Sequence, residues 1–284
     1  MKIVDPEVEI IHEENPLRRI ELCGRVCYKS ERKITDDSAK IFVEKLVERG
    51  HTSVLEHARV IVPGKRVIDL TVPYLNECKE APYGMKYRIR LASDNRGRNI
   101  YMVNVRDFCA IGGKPDELET LKNVDDYMTV RFTCDRAIAN ELVRHRVFSF
   151  SQESTRYVNY EKRELAFVRP IPFEWAELSV DQAELSDCMA DPRFQTWILG
   201  CEQAEANYLH LIREGCHPQE ARAVLPLSVK TELIMTGTFP QWSEMLKLRL
   251  HHSAHPQMRY LMQMLIAKKD FPASRIQLPG KEEK

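Results

Sequence analysis

The chain has 284 residues, 43% of them hydrophobic and 30% charged, the profile of an ordinary globular protein with ample material for a buried core. Its 42 basic residues cancel its 42 acidic ones, so no broad field favours wrapping a polyanion or lying on an anionic membrane, and any phosphate must be met by a local cluster. The opening MKIVDPEVEIIHEENP has no cationic stretch leading into an apolar run, and no segment offers the roughly eighteen apolar residues of a membrane span, so a soluble, cytoplasmic protein is expected.

In chain order, Ala39, Phe42, Val43, Leu46 and Val47 share a stripe that predicts a helix over 36–49, capped by Thr35 and stopped by Gly50. GHTSVLEH follows. RVIDLTVPY, MKYRIRL and NIYMVNV are rich in β-branched and aromatic residues and predict antiparallel strands, with a turn over Ser93-Asp94-Asn95-Arg96-Gly97. MTVRFTC alternates as a strand does and feeds a helix beginning near Asp135, on which Ile138, Glu141, Leu142, His145 and Phe148 recur at spacings of three and four. That spacing sends Glu141, Arg144 and His145 from one helix end in one direction. A long helix over 194–212 closes at Gly215, Pro218 opens a short one through Val224, and two more run from Pro240 to His251 and from Pro256 to Lys268. No repeat or low-complexity linker interrupts the chain, which ends in the tail Lys281-Glu282-Glu283-Lys284. The expected architecture is α+β: a single domain, 1–284, with a central antiparallel sheet packed by helices and an inserted β region around 73–130.

The eight cysteines, at 23, 27, 78, 109, 134, 188, 201 and 216, form no Cys-x-x-Cys pair and are expected to be mostly small buried apolar side chains, reduced in a cytosolic protein. The tryptophans at 175, 197 and 242 fit core or interface better than stacking platforms. His251, His252 and His255 are close enough to suggest a metal site, but Pro256 interrupts the helix that would orient them, so no metal is expected.

RHRVFSFSQESTRYVNY concentrates arginines, hydroxyl side chains, a histidine, a glutamine and a glutamate in a stretch too polar for a core. Planar, permanently charged guanidinium groups beside serines suit a phosphate or a heterocyclic carbonyl system; a solvated helix end and polar loop explain the composition equally well. Order and spacing separate the two. Arg144-His145-Arg146, seven residues, Ser154, then Arg156-Tyr157 resembles the signature of the flavin-dependent thymidylate synthases, and GHTSVLEH, EARAVLPLSV and LKLRLHHSAHPQMR resemble three further segments of that family in the correct order.

The resemblance implies reductive methylation of dUMP to dTMP: methylenetetrahydrofolate supplies the carbon, FAD carries the hydride, NADPH re-reduces the flavin, and no cysteine nucleophile is required. It places His51, Ser53, Arg144, His145 and Arg146 at the flavin, and Glu141, Arg144, Glu153, Ser154, Thr155, Arg156 and Arg222 at dUMP, with Gln152 at both. Arg249 matches the arginine that draws uracil into an N3-ionised form, a task a guanidinium performs without giving up a proton. The family also implies a homotetramer with active sites shared between subunits. Most departures fall on the flavin side, and one, Glu141, on the nucleotide side. Cys27 replaces a common serine, Glu141 a common glutamine, Thr238, Pro240 and Glu244 common Asn, Arg and Asn, and Ser253 a histidine for which His252 and His255 are nearby substitutes. The rival readings are a non-catalytic nucleotide- or RNA-binding module, in which Arg144, Arg146 and Arg156 grip phosphates and Phe148, Phe150 and Tyr157 stack bases, and an FAD enzyme acting on another pyrimidine.

Overall fold

The computed structural model describes residues 1–67, 69, 89–93, 97–170 and 191–279. Its strands are β1 (Lys2–Val4), β2 (Glu7–Ile10), β3 (Arg59–Pro63), β4 (Ile89–Ser93), β5 (Asn99–Asn104), β6 (Lys122–Asn123), β7 (Tyr127–Asp135), β8 (Ser149–Gln152), β9 (Ala166–Val168) and β10 (Lys230–Thr238). The helices are α1 (Pro16–Tyr28), α2 (Ser38–Glu48), α3 (Val105–Ala110), α4 (Arg136–Leu142), α5 (Pro192–Arg213), α6 (Pro218–Ala221), α7 (Phe239–Arg249) and α8 (Pro256–Ile266). The mixed α+β class is as expected. The chain resolves into two compact units, one of Met1–Ile11, Met128–Phe148 and Gln152–Lys284, the other of His12–Tyr127 with Ser149–Ser151, and each has its own antiparallel sheet pairing. Among the described residues no helix is long and apolar enough to cross a membrane.

In the unit built on His12–Tyr127, α1 starts where the Asn15 side chain accepts the N–H groups of Leu17 and Arg18 at 2.9 and 3.1 Å, with Pro16 in the first turn. The stripe of α2 packs as its periodicity requires, with Ala39, Val43 and Leu46 buried and Phe42 and Val47 against the same cluster. Its cap differs from expectation. Thr35 lends no side chain; instead its N–H donates to Ser38 Oγ at 2.8 Å, and Asp37 holds the cap position without a side-chain bond. Gly50 does close the helix, at φ +70°, where only a residue without Cβ is unstrained.

The sheet of this unit runs β4–β5–β3–β6, and β4 and β5 confirm the antiparallel pair expected for the ends of MKYRIRL and NIYMVNV. Its central strand β3 was not anticipated, although Val60 and Val62 alternate with Arg59 and Ile61 as in-facing and out-facing residues should. The expected strand RVIDLTVPY begins differently: residues 64–67 are helical, and Arg66 makes a two-point ion pair with Glu117 at 2.7 and 2.8 Å that fits a helical turn after Pro63 ends β3. Ile68 and the remainder, 70–74, lie outside the described residues, as do 85–88, Asp94-Asn95-Arg96, Cys78, Cys188, Trp175 and the 281–284 tail.

In the other unit β2, β7 and β10 lie side by side, β2 antiparallel to β7, with buried Thr129 and Thr236 hydroxyls bonded at 2.9 Å across β7 and β10. The helices α5 to α8 follow the expected chain order, α5 closing at Gly215 (φ +93°). Trp242 on α7 is fully buried, its indole N–H donating to the Met128 carbonyl at 3.0 Å, and Trp197 packs beside a second cluster around Tyr160, Phe167 and Tyr208. The helix after β7 is shorter than predicted. It opens with Asp135 accepting the Ile138 N–H at 2.7 Å and ends at Leu142, after which three-residue turns (His145 N–H to Leu142 O, 3.1 Å; Phe148 N–H to His145 O, 3.0 Å) redirect the chain. The tighter path lets Phe148 meet Trp242 edge-on at 5.0 Å and lie over Gly237.

A methyl group at Gly237 would stand 2.3 Å from Phe148 Cε1. Gly237→Ala should therefore destabilise the chain by about 1–3 kcal/mol in urea unfolding, as overpacking does; an unchanged midpoint would show that Phe148 is free to move.

Candidate active site

Three side chains from the predicted set meet in one place. Arg249, in the last turn of α7, donates from Nε to His145 Nε2 at 2.9 Å, from Nη1 to Glu141 Oε2 at 2.7 Å and from Nη2 to the Glu141 carbonyl at 3.1 Å. Glu244, on the same helix as Arg249, is exposed, and the carboxylate that Arg249 pairs with is Glu141. Because Nε donates, His145 must be the neutral tautomer that accepts at Nε2, and burial with the neighbouring Arg249 charge lowers its pKa to about 4. Arg144 and Arg146 flank His145 but stay exposed, and among the described residues neither side chain has a hydrogen bond or ion pair.

The segment after β8 forms a second grouping. Glu153, expected at the nucleotide, is 3% exposed, and its carboxylate takes Lys230 Nζ at 3.0 Å and the Tyr160 hydroxyl at 3.1 Å. Lys230 also reaches Glu232 at 2.6 Å; burial opposes its charge, but the two carboxylates outweigh that and raise its pKa. Tyr160 is raised as well, by burial and then by Glu153. Around this anchor Gln152 donates to Thr231 Oγ1 at 3.4 Å, Ser154 Oγ accepts the Arg156 N–H at 3.3 Å, and Arg222 donates to Thr155 Oγ1 at 3.2 Å. Arg156 is exposed, its guanidinium 5.1 Å from the Tyr157 ring centre. Thr155 and Arg222, read from different segments, are thus brought together. Lys230, Glu232 and Tyr160 were missed; the alternation KTELIMTGT could have flagged a strand carrying two charges on one side.

The remaining predicted residues are placed as follows. His51 and Ser53 belong to the other unit and are exposed; His51 closes α2 through its N–H to Leu46 O at 2.9 Å, the loop-histidine role that its position after Gly50 also allows. Thr238 caps α7, its N–H donating to Gln241 Oε1 at 2.7 Å, and Pro240 lies in the first turn. His251 bonds Ser253 at 2.7 Å and His255 Nδ1 accepts the Gln257 N–H at 3.2 Å, so both imidazoles serve local turns. Cys27 and Cys216 are half-buried, while Cys23, Cys134 and Cys201 are buried as expected of apolar fillers. Burial raises the Cys134 and Cys201 thiols and pushes Cys109 up to about 11.

His57, at the end of GHTSVLEH, was also missed. It is fully buried, with Nε2 3.0 Å from Ser151 Oγ, and desolvation lowers its pKa to about 4. The preceding Glu56 accepts from Ser149 Oγ at 3.2 Å and pairs with Arg106. Its signal in the sequence is the Glu56-His57 pair that ends the turn Thr52–His57.

Two measurements test these placements. Lys230→Met strands a buried carboxylate and should cost about 3–5 kcal/mol, most of it recovered in the Glu153→Gln/Lys230→Met double variant; equal losses in both would dissolve the pair. For His57 the folded pKa of about 4 lies below the ordinary 6.5, so its contribution is complete above pH 6.5 and drains away as pH falls toward 4. Unfolding free energy should drop by about 3 kcal/mol from this group across that window, and the acid slope should be shallower in His57→Asn; identical slopes would mean His57 is not held neutral.

The sequence matches the family described as thymidylate synthase complementing protein over residues 9–65 and 126–273, well over half of the chain, omitting the stretch that carries β4, β5, α3 and β6. Curated relatives named flavin-dependent thymidylate synthase include that of Pyrococcus furiosus, 29% identical over 126 residues (44% of this chain, 47% of the relative), and that of Corynebacterium efficiens, 34% identical over 131 residues (44% and 49%). The chain spans about half the length of the curated relatives it matches. A crystal structure of the UMP/dUMP methylase PolB from Streptomyces cacaoi bound with 5-Br dUMP overlaps 93% of this chain and 90% of that one at 19% identity and a TM-score of 0.43, too loose a likeness to bear on the site. On the extent of the family match, the chain belongs to the thymidylate synthase complementing protein family.

Proposed function

We propose that this chain converts dUMP to dTMP by reductive methylation, taking the carbon from methylenetetrahydrofolate and the reducing equivalents from NADPH through FAD. Family membership and relatives named flavin-dependent thymidylate synthase support the reading. The single observation that carries it is Arg249, held half-buried by Glu141 and His145, with a fixed charge that can stabilise an N3-ionised uracil as the anion develops.

The donor set fits a flavin dinucleotide. Arg144 and Arg146 are exposed cations with no counter-ion among the described residues, the chemistry a pyrophosphate needs. His51, Ser53, Gln152, Thr238 and Glu244 complete the proposed cofactor contacts. Once bound, the flavin supplies the hydride. Arg156, Arg222 and the Ser154 and Thr155 hydroxyls receive the nucleotide phosphate, and the buried Glu153–Lys230 anchor keeps that segment in place. The proposed working form is a cytoplasmic homotetramer.

Arg249→Ala should leave the yellow flavin absorbance intact and reduce folate-dependent tritium release from C5-labelled dUMP by about 10²–10³-fold, the usual loss for one preorganised donor. Normal turnover would remove Arg249 from the mechanism. A colourless protein that FAD cannot reconstitute would favour the nucleotide-binding module.

A further inference from the structure

The geometry points to Glu141 as a placeholder for the ligand: its carboxylate occupies the Arg249 guanidinium until an incoming anion takes its place, so Glu141 tunes nucleotide affinity by competition rather than by contact. The inference rests on the proposal that Arg249 receives the nucleotide.

Arg249 has five N–H donors, and the Glu141 side chain and carbonyl take one from each Nη while His145 takes Nε. The bond to the carboxylate is charge-assisted and short, at 2.7 Å, whereas the partner at Nε is a neutral ring that fixes the direction of the side chain without cancelling its charge. Glu141 alone therefore neutralises the group. Of the three arginines at 144, 146 and 249 it engages only Arg249, leaving Arg144 and Arg146 exposed.

The pair is also only partly withdrawn from water, with Arg249 20% and Glu141 33% exposed, so an anion arriving from solvent can reach it. The nucleotide, an anion through its phosphate and through the N3 charge that develops at Arg249, meets a like charge beside the guanidinium unless the carboxylate swings away, while the carbonyl of Glu141 and the imidazole of His145 continue to hold Arg249. An amide at 141 would keep an acceptor of the same shape and abolish the competition. A residue that itself bonds the nucleotide would behave in the opposite way, since losing its charge or its side chain would weaken binding.

Calorimetry on the full chain separates the two. Glu141→Gln, with Glu141→Ala as a second variant, should bind dUMP about ten times more tightly than the unaltered chain, the scale of one relieved like-charge contact. In the Arg249→Gln background the same change should yield less than about a two-fold gain, because the group Glu141 masks is gone. Inorganic pyrophosphate serves as a second probe. A ten-fold gain for pyrophosphate with no dUMP binding in any variant would sink the proposed function and uphold the placeholder. Weaker or unchanged binding of both anions by the Glu141 variants, or an equal gain with and without Arg249, would overturn it.

Discussion

The hydrogen-bonded join between Arg249 and the pair Glu141 and His145 is the constraint around which the candidate site is arranged. It ties the end of α7 to the end of α4, and it can form only because α4 stops at Leu142 and the chain tightens into three-residue turns. A regular helix through Phe148 would have carried His145 onward along the same axis. The join also sets protonation: an imidazole that accepts from a guanidinium must be neutral, so the most basic run of the chain contains a histidine that adds no charge. A half-buried ion pair of this kind adds little net stability, since the Coulombic gain is offset by desolvation. Its consequence is orientation, a cation whose direction is fixed before any ligand arrives.

The packing beneath the join is apolar and specific. Phe148 fills the space that Gly237 leaves vacant and meets Trp242 edge-on, while Trp242 anchors to the β7 backbone at Met128. The turn that ends in Phe148 and the helix that ends in Arg249 thus rest on one aromatic contact. The polar segment beyond β8 is anchored differently, through Glu153 on Lys230 with Tyr160 closing the network. Residues drawn from the family resemblance divide accordingly. Glu141, His145, Gln152, Glu153 and Thr155 have partners inside the protein, while Arg144, Arg146 and Arg156 present their charges outward.

The sequence made much of this legible where one local rule governed. The α2 stripe, the β7 alternation, and the glycines and prolines bounding α5 to α8 each express a periodicity or a cap, and the elements lie close to their expected limits. It misled where tertiary contacts decided. Helical spacing through Phe148 was real, yet the chain left the helix to seat that ring over Gly237. Arg66 sat in a β-rich run but turned helical to meet Glu117. The charges flanking Glu153 could not be read because Lys230 and Glu232 lie far away in sequence on β10. The pairing of Arg249 with Glu141 joins positions more than a hundred residues apart, and periodicity carries no information about such a contact.

The most direct measurement on the central join is nitrogen NMR on selectively labelled chain without ligand, following the Arg249 Nε–H and the His145 ring. The account predicts a scalar coupling through the Nε–H···Nε2 hydrogen bond and a neutral imidazole that titrates near pH 4. A His145 ring titrating near its ordinary 6.5, with no coupling to Arg249, would contradict it.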